Sequence, residues 1–154
     1  MTVGHWAISN LIAMYAERID SGDFAGVGEL FADARITSDA GSEVTGADQV
    51  RAMYERWTRR YPDDRYPDTG TPRTKHLTTN LRIEVDEAAG EGTCHSYFTV
   101  LQSTPELPLQ PIITGRYRDT FRRDGDVWRF ASRHMITDYL GDLSGHLMES
   151  LTEQ

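Results

Sequence analysis

Asp20 and His76 are the two residues of this chain best suited to chemistry. Asp20 closes an amphipathic N-terminal helix. His76 opens a β-rich stretch, Lys75-His76-Leu77-Thr78-Thr79-Asn80-Leu81-Arg82-Ile83-Glu84-Val85. A carboxylate that holds an imidazole in one tautomer makes it a stronger general base near neutral pH. If the fold brings the two together in a pocket, they make an acid–base enzyme that needs no cofactor. Taken singly, each has a plainer use: a strand histidine is a hydrogen-bonded core residue, and an aspartate at a helix end forms a cap or turn.

Elements that could position this pair are legible. Ile8, Leu11, Ile12, Tyr15 and Ile19 fall at helical spacing and predict a helix over Val3 to Asp20. Ser21-Gly22-Asp23 breaks it. A short second helix carries Phe24, Val27, Leu30 and Phe31, and a strand follows over Ala34 to Asp39. Thr45-Gly46-Ala47-Asp48 resembles a capping box and launches a third helix with Val50, Met53, Tyr54 and Trp57 on one face, ending near Tyr61-Pro62. The Pro- and Asp-rich stretch from Pro62 to Thr74 predicts a loop of the kind that covers substrates.

From Lys75 onward the pattern is that of strands. Leu81, Ile83 and Val85 alternate with polar residues, and Asn80 marks a turn or bulge. Thr93 to Ser103 shows Cys94, Phe98 and Val100 on one face and His95, Tyr97, Thr99 and Leu101 on the other. Ile112 to Arg123 and Val127 to Tyr139 are joined by the hairpin signal Asp124-Gly125. A tail from 140 to 154 places Leu143, Leu147 and Leu151 at helical spacing and could cover a cavity mouth. Helices first and an antiparallel meander afterwards predict an α+β fold in a single domain, residues 1–154. No phosphate-binding glycine loop is present.

Bulk properties narrow the function. The net charge is -8, so a nucleic-acid partner is not expected. One cysteine, Cys94, leaves no disulfide framework and no cysteine cluster for zinc. The five histidines are scattered without metal-ligand spacing, so neither a metal site nor a cofactor is expected. No window approaches the ~20 apolar residues that span a bilayer, and no charged-then-apolar segment opens the chain. A cytoplasmic protein without a membrane partner is the expectation.

A family pattern runs along nearly the whole chain. It comprises Tyr15-x-x-x-x-Asp20, Leu30-Phe31-Ala32-Asp33, Gly46 before the third helix, Arg73 to Leu81, Gly115-Arg116-Tyr117, and Asp126 to Arg133. With these the chain resembles the SnoaL-like branch of the nuclear transport factor 2-like superfamily, whose fold is a cone-shaped α+β barrel with helices packed on a curved, mostly antiparallel sheet. Within it the chain is similar to scytalone dehydratase, bile-acid 7α-dehydratase and hexachlorocyclohexane dehydrochlorinase, lyases with an Asp–His dyad. The resemblance puts Asp20 and His76 on the dyad, Tyr15 on a polar pocket position and Arg133 on a pocket arginine. Departures are plain: no carboxylate stands near Thr99, His95 does not match a second pocket histidine, and Tyr117 stands about where an asparagine would be.

The resemblance thus implies a cofactor-independent lyase, a dehydratase, acting on a hydrophobic cyclic small molecule. His76 would take a proton, Asp20 support it, and Tyr15 or Arg133 assist the leaving group. Packing in the apolar stripe is the other reading of Tyr15, and a surface salt bridge the other reading of Arg133. Tyr54, Trp57, His95, Tyr97 and Tyr117 are the candidate substrate-binding residues, with sheet or core packing as their alternative. A polyketide-type cyclase or double-bond isomerase would use the same base, and a non-catalytic binding or assembly module would use neither. The lyase relatives imply a homo-oligomer, a trimer ahead of a dimer. Superfamily members share the cone across unrelated activities, so only the geometry of the site can separate these readings.

Overall fold

The apolar stripe of the first helix sets the architecture. In the computed structural model, which describes residues 2–148, helix α1 runs Val3–Asp20 and buries Ile8, Ile12, Tyr15 and Ile19. Burying side chains of that size contributes roughly 1.5–3 kcal/mol each, which anchors the helix to the sheet. Gly22, with φ of 76°, ends the turn after α1. A side chain there would sit 2.2 Å from the Gly70 carbonyl oxygen, so glycine lets the 61–71 loop lie against the helix end that carries Asp20. Helix α2, Phe24–Leu30, starts where the Asp23 carboxylate accepts the Gly26 amide at 2.8 Å.

Helix α3 spans Gly46–Trp57 and stops short of the expected Tyr61-Pro62. The reason is competition for its backbone. Thr58 is extended and bridges to Leu147, the Arg59 amide donates to the His146 carbonyl, and the Met148 amide to the Trp57 carbonyl. The C-terminal segment therefore takes the groups that another helical turn would need.

The strands are β1 Arg35–Ser38, β2 Glu43–Thr45, β3 Thr74–Asp86, β4 Glu91–Gln102, β5 Gln110–Asp124 and β6 Val127–Leu140. They form one curved sheet in the order β2-β1-β6-β5-β4-β3, left open at β2 and β3. Among the described residues only the β1–β6 pairing is parallel. Helices and sheet make the expected α+β fold, with the short β2 added. Its concave face holds the core, where Phe31 stacks on Phe130 at 4.6 Å and Phe121 packs against Phe130 at 4.8 Å. The β5–β6 hairpin turns at Gly125, as Asp124-Gly125 predicts.

Bulges decide which residues face inward. In β3 the register slips between Thr79 and Arg82, where Asn80 adopts a φ of 56°. Thr74, His76 and Thr78 face inward before the slip, and Ile83 and Val85 after it. In β6 the pairing passes from Phe121↔Phe130 to Thr120↔Ser132, so Ala131 is the extra residue. Trp128 and Phe130 then share the inner face with Arg133, which unbroken alternation would put outside.

No described helix is long and apolar enough to cross a membrane. Residues 143–148 form a turn and an isolated bridge at Leu147, not the helix expected from leucine spacing, and Leu151 lies outside the described residues.

Candidate functional site

Asp20, at the last turn of α1, meets the inner face of β3 at its first residues. Its Oδ1 accepts His76 Nδ1 at 2.6 Å and Thr74 Oγ at 2.7 Å, and its Oδ2 accepts the His76 amide at 2.8 Å. Three donors on two oxygens pin the carboxylate in one rotamer. A carboxylate can only accept, so the ring proton lies on Nδ1 and the Nε2 lone pair is left over. No described residue hydrogen-bonds that Nε2. Both side chains are sheltered, at 6% and 10% exposure.

Beside the pair runs an open groove of about 780 Å³, bordered by Asp20, His76, Tyr66, Arg18, Arg73 and Lys75. Its rim is more charged than a hydrophobic cavity would be. Arg73 holds a left-handed backbone, φ 57°, and its Nε donates to the Ser103 carbonyl at 2.7 Å.

Tyr15 stands next to His76, ring centroids 6.0 Å apart and edge to face. Its hydroxyl shares a 2.7 Å hydrogen bond with that of Tyr54. Burial, then the neighbouring Tyr15, pushes the Tyr54 phenol well up, and burial does the same to Tyr117, so both stay protonated. Arg133 lies between the Tyr117 and Tyr15 rings, 3.8 and 4.4 Å from their centroids. It also grips Asp119 through two 2.8 Å bonds. Burial alone would lower its guanidinium, but Asp119 overrides that and raises it. Arg133 is thus neither on the sheet surface nor free: only its buried Nη1 lacks a partner.

The other candidates divide by face. Tyr54 and Tyr117 are inside, with Tyr117 stacked on Phe98 at 4.4 Å. Trp57 is half-buried at the end of α3 beneath the Arg56 guanidinium, 5.1 Å from its ring. His95 and Tyr97 are corrections. β4 alternates without a bulge of its own, so the face that buries Cys94, Ser96, Phe98 and Val100 sends these two outward. His95 bonds Arg82 at 2.8 Å there, and Tyr97 is 53% exposed.

Several residues of the site carry no chemical signature in the sequence. Thr74 could have been found from period-two spacing, two residues before His76. Gln102, its cross-strand partner, donates to the Pro72 and Gly145 carbonyls at 3.0 Å each. Tyr61 also donates to the Gly145 carbonyl. These bonds draw the tail across the site end of the sheet and bury His146. Thr78 Oγ, Ser96 Oγ and Gln102 Oε1 on the inner face, and His146 Nδ1 in the tail, are buried without hydrogen-bond partners among the described residues. Among the described residues no three His, Cys, Asp or Glu side chains converge as metal ligands would.

This fold and its inner face can be set beside known proteins. A family model described as SnoaL-like domain matches residues 4–134. The chain belongs to the SnoaL-like domain family. Among solved structures, this SnoaL-like chain is similar to a variant of Rv3472 from Mycobacterium tuberculosis, a protein of unknown function. The TM-score is 0.70 at 25% identity, covering 90% of this chain and 73% of that one. A Novosphingobium aromaticivorans protein provisionally assigned as a scytalone dehydratase gives 0.69 at 22% identity, covering 91% and 87%. LinA gives 0.66 at 20% identity, covering 92% and 90%. At the last two identities the likeness is one of fold. No curated protein sequence matches the SnoaL-like chain significantly.

Proposed function

We propose that the protein is a cofactor-independent lyase of the dehydratase type, acting on a cyclic small molecule with an apolar body. The observation that carries this reading is the 2.6 Å bond from His76 Nδ1 to an Asp20 carboxylate itself held by Thr74 and a backbone amide. In this reading His76 Nε2 removes an acidic C–H proton, Asp20 stabilises the imidazolium, and the same proton leaves with the departing hydroxyl as water. Tyr15 supplies an apolar wall and a phenol near the ring. Arg133 contributes a fixed positive charge behind Tyr15 rather than direct contact, because Asp119 and the flanking rings enclose it.

3-Hydroxycyclohexanone and a bicyclic analogue serve as probes. Wild-type protein is expected to form the enone with loss of one water by mass spectrometry. His76→Ala is expected to lose about 10²–10⁴ in rate with its fold intact. Wild-type turnover in that variant would remove the mechanism. A product of unchanged mass would assign the same base to isomerisation or cyclisation.

A binding role has one specific observation in its favour: Tyr15, Phe98, Tyr117 and Arg133 fill much of the concave face. Tight probe binding with no turnover would select it. A homo-oligomer, a trimer before a dimer, belongs to the same proposal. The outer face supports it with exposed Leu77, Tyr97 and Tyr139, and light scattering reads the stoichiometry.

A further inference from the structure

Resting on the lyase reading above, we propose that the groove beside Asp20 and His76 contains an anion-binding subsite. There Lys75 and Arg73 hold a carboxylate or phosphate group carried on the apolar body of the substrate.

The charges point to it first. The chain has a net charge of -8, and among its 16 cationic residues Lys75 is the only lysine. That lysine is next to His76 and borders the groove together with Arg18, Arg65 and Arg73. Two of these cations are already engaged. Arg65 forms a two-point pair with Asp63, Nε to Oδ1 at 2.9 Å and Nη2 to Oδ2 at 2.7 Å. Arg18 turns to α2, where its Nη1 donates to the Gly26 carbonyl at 2.6 Å and stands 3.9 Å from Glu29. Lys75 and Arg73 differ: among the described residues neither forms an ion pair. The acids of the groove do not fill that role. Asp20 is committed to the Thr74 hydroxyl, the His76 ring and the His76 amide, and Glu17 pairs with neither cation.

The backbone fixes where these two charges stand. Arg73 adopts a φ of 57°, a left-handed conformation that is costly for any residue with a Cβ. Its amide donates to Thr71 Oγ at 3.2 Å, its carbonyl accepts the Ser103 amide at 3.1 Å, and its Nε donates to the Ser103 carbonyl at 2.7 Å. That last bond orients the guanidinium and leaves both Nη groups without a described partner, a planar fork suited to the oxygens of an anion. Lys75 follows two residues later, opposite Leu101.

The position of β3 brings these charges to the dyad. It is an end strand of the sheet, so no further strand separates its two faces. Lys75 on the outer face and His76 on the inner face therefore border one groove, whose volume of about 780 Å³ has room for a ring system and a head group. Tyr66, Leu101 and Leu109 give that groove apolar surface for the ring. An anion held by Lys75 and Arg73 thus tethers the substrate body along the groove that His76 borders.

Matched ligands test this without turnover. 2-Naphthoate is compared with 2-naphthamide, and 2-naphthyl phosphate with 2-naphthol, by titration calorimetry. At low salt the wild-type protein is expected to bind at least one anion about tenfold tighter than its neutral counterpart. The pair with the larger ratio names the head group, and about 0.5 M salt should shrink that ratio. Lys75→Gln and Arg73→Gln should each lower it about threefold, and the double variant should bring it to about one. Lys75 is exposed, so its replacement keeps the test decisive even where Arg73→Gln fails to fold. Arg129→Gln removes the same charge at the opposite end of the sheet and should keep the wild-type ratio. Because Lys75 is the only lysine, acetic anhydride labelling read by mass spectrometry follows it directly, and the bound anion should protect it. A wild-type ratio near one, an unprotected Lys75, or an equal loss in Arg129→Gln overturns the subsite. The lyase reading fails separately. Dehydration of 3-hydroxycyclohexanone with a ratio near one removes the anion subsite alone. A tenfold ratio with no dehydration of any probe supports the anion subsite and removes the lyase.

Discussion

Arg133 and Asp119 form a fully buried two-point ion pair, Nε to Oδ1 and Nη2 to Oδ2, each at 2.8 Å. Removing one partner leaves the other charge stranded among aromatic rings. Asp119→Ala is expected to destabilise the fold by about 3–5 kcal/mol, read from urea unfolding. The double replacement Asp119→Leu with Arg133→Met should recover most of that loss, because no charge then stays buried. A single variant that costs under ~1 kcal/mol would show that the pair does not hold the inner face together.

The Asp20 carboxylate accepts from Thr74, the His76 ring and the His76 amide at once, which makes it a positioning group with a charge. Asp20→Asn keeps the shape and can present an N–H to the ring, which favours the wrong tautomer. Its rate on 3-hydroxycyclohexanone should fall about 10²–10⁴-fold while stability changes little. Thr74→Val removes one hydrogen bond and should cost about tenfold. Nitrogen chemical shifts of the His76 ring read the tautomer directly. Unchanged shifts in Asp20→Asn would contradict the positioning role.

How far the site could be read from sequence depends on the bulges. Helix α1 was plain, because its stripe is strong and Asp20 sits at its end. The two faces of β4 separate as well, since that strand alternates without interruption and sorts Phe98 from His95 and Tyr97, but alternation alone does not say which face lines the core, and His95 and Tyr97 were placed on the wrong one. The facing of His76 and Arg133 was not plain either. Counted by twos from Ile83 and Val85, His76 belongs outside, and counted from Trp128 and Phe130, so does Arg133. Single extra residues at Asn80 and Ala131 reverse both. A one-residue slip flips every side chain beyond it, so the pattern that identifies a strand cannot by itself tell which end faces the core. Asn80 is at least a residue type that tolerates the left-handed conformation, whereas Ala131 gives no signal. His146 was invisible for another reason: its burial depends on backbone bonds between the tail and distant loops.

Asn80 offers a direct check on the first bulge. Its φ of 56° is tolerated by asparagine and resisted by β-branched residues. Asn80→Val is expected to cost about 1–3 kcal/mol and Asn80→Gly much less, measured by urea midpoints. Because the bulge turns His76 inward, Asn80→Val should also lower the rate on 3-hydroxycyclohexanone beyond any loss of folded protein. Equal stability of the valine and glycine variants would mean that the left-handed residue is not what fixes the slip.

The pH dependence of stability follows from His146. An unfolded histidine titrates near 6.5, whereas in the fold burial and the neighbouring His76 bring His146 to about 4. Between those values the unfolded chain binds a proton that the folded chain refuses. Stability therefore rises with pH through this window and falls as the solution is acidified from about 6.5 toward 4. The loss reaches up to about 3 kcal/mol once both states are protonated. Asp20 opposes the shift and limits it, while the backbone clamps from Arg59 and Gln102 do not titrate. His146→Leu removes the ionisable group, so its urea midpoint should fall less than that of wild type between pH 7 and pH 4. Identical pH slopes in the two proteins would show that His146 is protonated in the folded state, outside the sheltered position the tail bonds give it.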